Sequence, residues 1–415
     1  MRRLWPFTPR GTGALVLAVG CFIGAGELGL VELVYFGILL LAVVATSFAT
    51  LYFAQRTESV ERSLSPDTVS VGRESRVIVQ VGARSALPTA SGTWRDALPH
   101  GLDGVARGVF PALGSGFRGA DRTVELEYTV TGQRRGIHSV GPLSVSTIDP
   151  FGLVKRTTVF PQRTRVTVAP AVVELSPVSD LAGETGGMLH VTNEQLGQGS
   201  DNLTPRAYVP GDSMRRIHWR ATAHRDELMV RQEEQESTPE ATVVLDRGAL
   251  RWSPEALHAP GVDPGFEAGV AACVSVVARL VRDGYSVEVA DSDGTLMADP
   301  IEGSDIAEVE AFVTACATVT TRRDDTLARL PHVFAGTITG PVVVILGRFD
   351  AADADLLAPL AHHTTFPLLL AVSPTSDALE RAAAHGWRAG RLDPDADLAI
   401  VWADTVDRGV SHVVR

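Results

Sequence analysis

The densest run of chemically capable side chains lies between Arg206 and Arg231, and holds Asp212, Ser213, Arg215, Arg216, His218, Trp219, Arg220, Thr222, His224, Arg225, Asp226 and Glu227. Guanidinium groups make paired hydrogen bonds to carboxylate or phosphate. Arg206, Arg215, Arg216, Arg220 and Arg225 therefore form a candidate anion-binding or docking surface. The same arginines have acidic neighbours in Asp212, Asp226 and the run Glu233, Glu234, Glu236 and Glu240. Pairing with those would instead fix the segment onto the domain that follows. Two readings result, and the internal network is taken first.

Catalytic and metal chemistry fit the spacing less well. Gly211-Asp212-Ser213 resembles the nucleophile block of one serine-hydrolase class, with His218 as the base. However, Ser213 follows no apolar strand and no Asp-x-x-His pair lies near the C-terminus. His218 and His224, six apart, fall on opposite faces of a helix and cannot share an ion there. Pro210-Gly211-Asp212 reads as a turn, with Asp212 or Ser213 placed to cap a helix over 214–223. Ile217 and Ala221 share one face of that helix, Arg216 and Arg220 another, with Trp219 between. Leu228 to Arg231 reads as a strand. Upstream, the glycine-rich polar stretch from Gly183 to Ser200 reads as a loop.

Several elements must position this block. The chain has 415 residues, 37 Lys+Arg against 49 Asp+Glu and a net charge of −12, which argues against nucleic acid as the main partner. Cys21, Cys273 and Cys316 are too few and too scattered for a disulfide framework or a zinc site. Mean hydropathy is +0.12, high for a chain with this charge content, and the excess is N-terminal. Leu33 to Phe53 is 21 residues without a charge, about 30 Å as a helix and enough to cross a bilayer. Gly11 to Gly26 is a second, shorter run that extends to Leu30. Arg2, Arg3 and Arg10 precede the first span, Arg56 and Arg62 follow the second, and the connector carries only Glu27 and Glu32. The positive-inside rule makes this a hairpin with both ends cytoplasmic and the bulk of the chain in the cytoplasm. A cleaved signal peptide, or a lipoprotein site at Cys21, is the alternative for the first run; either leaves the body inside.

From Glu58 to about Leu175 the pattern becomes short alternating runs such as Arg76–Val81, Val124–Val130 and Arg165–Val168, separated by Ser65-Pro66-Asp67, Leu98-Pro99, Gly132 and Asp149-Pro150. That spacing predicts an antiparallel sandwich. In it, Arg134 to Leu143 and Asp149 to Leu153 read as strand, turn, strand and sharp corner, with glycine and proline shaping turns. Beyond Ala241 the pattern is alternating strand and helix. Strands are expected at Ala241–Asp246, Tyr285–Ala290, Pro341–Leu346, Thr365–Val372 and Leu398–Trp402. Helices are expected over 266–282, 306–317, 351–362 and 376–385. Strands this apolar are buried on both faces, so the sheet is mostly parallel.

The order of two N-terminal spans, a β-rich segment with RGIHSVGPL and DPFGL, and then PGDSMRRIHWRATAHRDELMVRQEE resembles the bacterial membrane proteins of the domain of unknown function 58 family. The resemblance covers nearly the whole chain. It implies a cytoplasmic von Willebrand factor A-like module after the motif. It also implies as partners a MoxR-type AAA+ ATPase and a membrane transglutaminase-like protein, in envelope assembly or stress; it implies no reaction. A metal-binding A-type module needs Asp-x-Ser-x-Ser at the end of its first strand. Here the run is Asp246-Arg247-Gly248-Ala249-Leu250, a degenerate metal-site position at which no metal is expected. No glycine-rich phosphate loop follows any strand, so no cofactor is expected either.

The expected organisation is therefore multidomain. It comprises a transmembrane helical hairpin (1–56), a β-sandwich-like domain (57–176), a linker with the family motif (177–240) and an α/β von Willebrand factor A-like domain (241–415). The expected function is a membrane-anchored cytoplasmic scaffold or adaptor. Its interaction motif is Gly211, Asp212, Arg215, Arg216, Ile217, His218, Trp219, Arg220, Thr222 and Arg225. An anion sensor built on the arginines and a hydrolase using Ser213 and His218 are the alternatives.

Overall fold

A computed structural model describes residues 5–52, 58–83, 90–112, 122–178, 203–208, 214, 217–225, 227–233, 239–324, 327–334 and 339–407. The chain divides into two compact units. One is 1–172 with 252–274 and 310–323; the other is 173–251 with 275–309 and 324–415.

The first unit opens with helices α1 (Pro9–Leu28) and α2 (Val31–Tyr52). Thr8 caps α1 by accepting the Gly11 N–H, and Gly29 closes it in the left-handed conformation, so α2 turns back after two residues. Val16, Leu17, Ile23, Ile38 and Leu39 are exposed on this pair, a surface that water does not tolerate and lipid does. Both helices are long and apolar enough to cross a membrane.

The β-rich part of this unit contains β1 (Glu58–Ser65), β2 (Val69–Ser70), β3 (Glu74–Ala83), β4 (Gly92–Asp96), β5 (Leu102–Gly104), β6 (Arg107–Phe110), β7 (Arg122–Gly132), β8 (Gly136–Val140), β9 (Leu143–Ile148), β10 (Lys155–Phe160) and β11 (Thr164–Ala169). The sheets run β1-β3-β7-β5, β10-β9-β4-β6 and β2-β11-β8. Val77, Val79 and Val81 on β3 and Val124, Leu126, Tyr128 and Val130 on β7 are buried in one core with Trp94, Leu143 and Val145 of the second sheet. The period of two thus turns one face of each antiparallel sheet inward, as expected of a sandwich. One ion pair lies inside it: Arg62 holds Asp96 with two hydrogen bonds of 2.9 and 3.0 Å, and the Tyr128 hydroxyl donates to the same carboxylate. Burial there pushes the Tyr128 hydroxyl well above its ordinary pKa.

The second unit contains β12 (Leu203–Ala207), α3 (Trp219–Arg225), β13 (Met229–Glu233), β14 (Glu240–Leu245), the C-terminal part of α4 (Pro264–Arg282), β15 (Ser286–Asp291), the start of α5 (Ile306–Ala315), β16 (Thr339–Phe349), α6 (Ala351–Ala361), β17 (Thr364–Pro374), α7 (Ala378–Ala384), β18 (Arg388–Arg391) and α8 (Leu398–Asp407). Five parallel strands form a sheet in the order β15-β14-β16-β17-β18. The segment from Thr295 to Ile301 returns antiparallel along the outer edge of β15, with Met297 N–H bonded to Val289 O at 2.7 Å. A parallel sheet with flanking helices and one antiparallel edge is consistent with an A-type module in its coarse architecture.

Two expectations are corrected. Leu398–Trp402 is the start of helix α8, not a strand: Leu398, Trp402, Thr405 and Val406 are buried at helical spacing and the Trp402 indole N–H bonds Ser176 O. The last strand is β18 instead, which the sequence pattern did not reveal. The helix expected over 214–223 begins at Trp219 and runs to Arg225, because Ile217 pairs with Val230 in an antiparallel bridge and His218 N–H bonds Met229 O at 2.7 Å. A third helix, α4, also has the length and composition of a span. Its Val270, Cys273, Val274, Val277 and Leu280 are fully buried in protein, which makes it a core helix.

Candidate functional site

The motif block is built on a short antiparallel pair. Strand β12 meets β13 with Arg206 opposite Val230 and Ala207 opposite Met229, and Tyr208 N–H bonds Leu228 O. Helix α3 is inserted between the two strands. It is pinned by Thr222, whose hydroxyl accepts the Met229 N–H at 3.0 Å, and by the Ile217–Val230 bridge. Ile217, Met229 and Val230 are buried. The apolar side chains that remain are turned outward: Trp219 is 68% exposed, and Met214 and Leu228 are exposed with it. His224 and Arg225 are exposed on the same short helix, and His218 is half-buried. Thus Ile217 and Thr222 hold the element together, while Trp219 and Arg225 are displayed by it. Gly211, Asp212, Ser213, Arg215 and Arg216, like the loop from Gly183 to Ser200, lie outside the described residues, as does the side chain of Arg220.

A second cluster sits at the carboxyl ends of β14 and β15, the edge at which open α/β sheets bind ligands. Asp246 is fully buried. Burial pushes its carboxyl up to about 6, against the downward pull of the Gly248 N–H, Ser292 and Arg251, and with a further push from Asp291. Arg251 Nε lies 3.3 Å from Asp246 Oδ2. The same guanidinium makes bidentate bonds of 2.7 and 3.0 Å to Asp353 and a third to Arg348 O. Asp291 Oδ1 accepts the N–H groups of Arg247 and Ser292, and Asp291 Oδ2 lies 3.8 Å from the Arg247 guanidinium.

This donor set does not fit the divalent cation of a metal-binding A-type module. The two hydroxyl positions are Gly248 and Leu250, and the carboxylates of Asp246 and Asp291 face backbone N–H groups and guanidinium. The positive charge beside Asp246 is carried by Arg251. The Asp-x-Ser-x-Ser frame ends at Leu250, one residue short of this arginine. Its pairing to Asp353, 102 residues away, had no local signal. Asp291-Ser292-Asp293-Gly294 after an apolar strand was the available clue.

Known proteins match at two levels. Residues 204–252 match the family model described as "Protein of unknown function DUF58", a stretch that contains both the α3 element and the run from Asp246 to Arg251. "Uncharacterized protein YeaD" of Bacillus subtilis (strain 168) is 22% identical over 250 residues, 60% of this chain and 60% of that protein's own length. Among solved structures, the CARDB domain of the PF1109 protein from Pyrococcus furiosus is 17% identical over 27% of this chain and 88% of its own, with a TM-score of 0.18. The PapD-like domain 7 of human CEP192 is 11% identical over 28% of this chain and 86% of its own, with a TM-score of 0.19.

Proposed function

We propose that the chain is a relative of the domain of unknown function 58 proteins and acts as a membrane-anchored adaptor. In this reading α1 and α2 hold it in the cytoplasmic membrane with its body in the cytoplasm, and the α3 element docks a partner protein. The observation that carries the reading is the exposure of Trp219 on an element that is otherwise firmly built, with Met214 and Leu228 exposed as well. Trp and Arg are among the residue types most enriched at the energetic centres of interfaces, and this short helix displays Trp219 and Arg225. Charge supports it: residues 203–231 contain six arginines against Asp212, Asp226 and Glu227 in a chain whose net charge is −12. The partner face is accordingly acidic around an apolar pocket. By family resemblance the partner is a MoxR-type AAA+ ATPase or a membrane transglutaminase-like protein, serving envelope assembly or stress.

Crosslinked recovery from native membranes tests this, comparing wild type with Trp219→Ala/Arg225→Ala at matched abundance. Both side chains are exposed, so the variant is expected to fold, with thermal unfolding as the check. Loss of a specific co-purifying protein in the folded variant is the expected result. Equal recovery with both chains overturns the docking role of α3. Fluorophosphonate labelling that disappears in Ser213→Ala would replace the adaptor with a hydrolase.

A further inference from the structure

The DPFGL corner is folded by its own first residue. Asp149 is fully buried and its carboxylate accepts the N–H groups of Phe151, Leu153 and Val154 at 2.9, 2.7 and 2.6 Å. Gly152 supplies the left-handed turn (φ +73) that the corner needs. The consequence is that the ring of Phe151 is thrown outward and left 60% exposed.

What this corner grips is the hairpin. Thr8 N–H bonds Leu153 O at 2.8 Å, Lys155 N–H bonds Pro6 O at 2.8 Å, and the Thr8 hydroxyl donates to Gly152 O at 2.6 Å while capping α1. The approach is so close that a Cβ at Gly11 would overlap the Leu153 carbonyl. On the other helix, Arg156 donates to Leu51 O in the last turn of α2, with its guanidinium 5.3 Å from the Tyr52 ring centroid. Corner, start of α1 and end of α2 therefore lie at one level. The Trp5, Phe7, Phe48 and Tyr52 rings run across it in successive contacts of 5.4, 6.4 and 4.4 Å. Trp5 is 61% exposed, and Arg10 and Lys155 are exposed beside it.

We infer that Phe151 and Trp5 are interfacial anchors that insert into the headgroup region of the bilayer crossed by α1 and α2, so that the DPFGL corner seats the sandwich on the membrane surface. The inference rests on α1 and α2 being spans. The level is set by helix length: α1 is 20 residues, about 30 Å and one hydrocarbon thickness, so Thr8 stands at its boundary. Aromatic rings with nearby Lys and Arg are the side chains that concentrate there. The bilayer is the occupant continuous with the exposed flanks of both helices.

Spin labels on the full chain in phosphatidylethanolamine–phosphatidylglycerol vesicles test it. Cysteine replaces Phe151 or Trp5, with Val109→Cys as an exposed sandwich control and Leu39→Cys as a control within the α2 span. The native cysteines are buried, and the unsubstituted chain sets the labelling background. The expected result is a ratio of oxygen to nickel-chelate collisions severalfold higher at 151 and 5 than at 109, and highest at 39. A water-like ratio at 151 with a lipid-like ratio at 39 overturns the anchor and leaves the spans standing. A water-like ratio at 39 overturns the spans and the anchor together.

Discussion

Helices α2 and α4 pass the same test of length and apolar content and are put to opposite uses. Leu39, Ile38 and Tyr35 of α2 are exposed, whereas Val270, Cys273, Val274, Val277 and Leu280 of α4 are buried. What separates the two is where their charge sits. From Leu33 onward α2 has no ionisable group other than Tyr35 and Tyr52, so its flanks meet lipid without cost. Helix α4 carries Glu267, Arg279 and Arg282, each with a partner: Glu267 binds Arg135, Arg279 binds Asp283 and Arg282 binds Glu174. An apolar stripe with paired charges at its margins marks a helix packed in protein. Uniform apolarity marks one packed in lipid.

The comparison is broken most directly by placing a carboxylate in each helix. Val277→Asp buries an ion without a partner and is expected to cost about 4 kcal/mol or more, enough to abolish the folded body at ordinary temperature. Thermal unfolding in detergent reads this. Leu39→Asp is expected to leave that unfolding unchanged and to oppose membrane insertion by about 3 kcal/mol, seen as release of the chain by carbonate extraction. If Val277→Asp instead releases a folded chain from membranes, α4 is a span and the core assignment is wrong.

A smaller effect sharpens the same contrast through the charges of α4. Arg135 is fully buried. It makes two bonds of 2.7 Å to Glu267 and a third to Cys316 O, with the Phe266 ring 5.8 Å away. Removing one partner of such a pair strands the other. Because the Glu267 side chain keeps 25% exposure, Arg135→Met is expected at the lower end of the usual range, about 3 kcal/mol by urea unfolding. Arg135→Met/Glu267→Gln should recover part of that loss. Full recovery would show the pair to be dispensable to packing, and no loss in the single variant would remove it from the core altogether.

Periodicity made the large elements readable. The α4 stripe, the charge-free hairpin and the alternating sandwich strands are repeated local patterns, and each burial face follows from its period. Failure came where a distant partner decides. Ile217 fits a helical face as well as a strand, and its bridge to Val230 is what excludes it from α3. Leu398–Trp402 contains Ile400 and Val401, β-formers by composition, yet the buried set Leu398, Trp402 and Val406 is helical. β18 reads Arg-Ala-Gly-Arg and has no apolar alternation to find. At the candidate site, the identity of the motif was legible and the outward face of Trp219 was not, because exposure depends on what the flanking strands bury. The Arg251–Asp353 pair closes a loop too long for any local rule.

That pair sets up the last and mildest test, since it lets the interior hold a charge that lipid around α2 would exclude. Asp246 is raised to about 6 by its burial, while the same group in an unfolded chain titrates near about 3.9. Between those values the folded protein holds a proton that the unfolded chain has lost. The associated stability is fully present below about pH 4 and disappears as pH rises through about 6, a span of about 3 kcal/mol. Asp246→Asn cannot ionise, so the difference between wild type and variant should widen against wild type across that window and stay flat above it. Urea unfolding at a series of pH values reads the difference directly and cancels the other carboxylates. Arg251→Met removes the cation that holds Asp246 down, and should move the window upward from 6. A wild-type profile parallel to that of Asp246→Asn would mean that Asp246 ionises as freely inside the fold as outside it, and that the guanidinium has fully replaced the water it displaced.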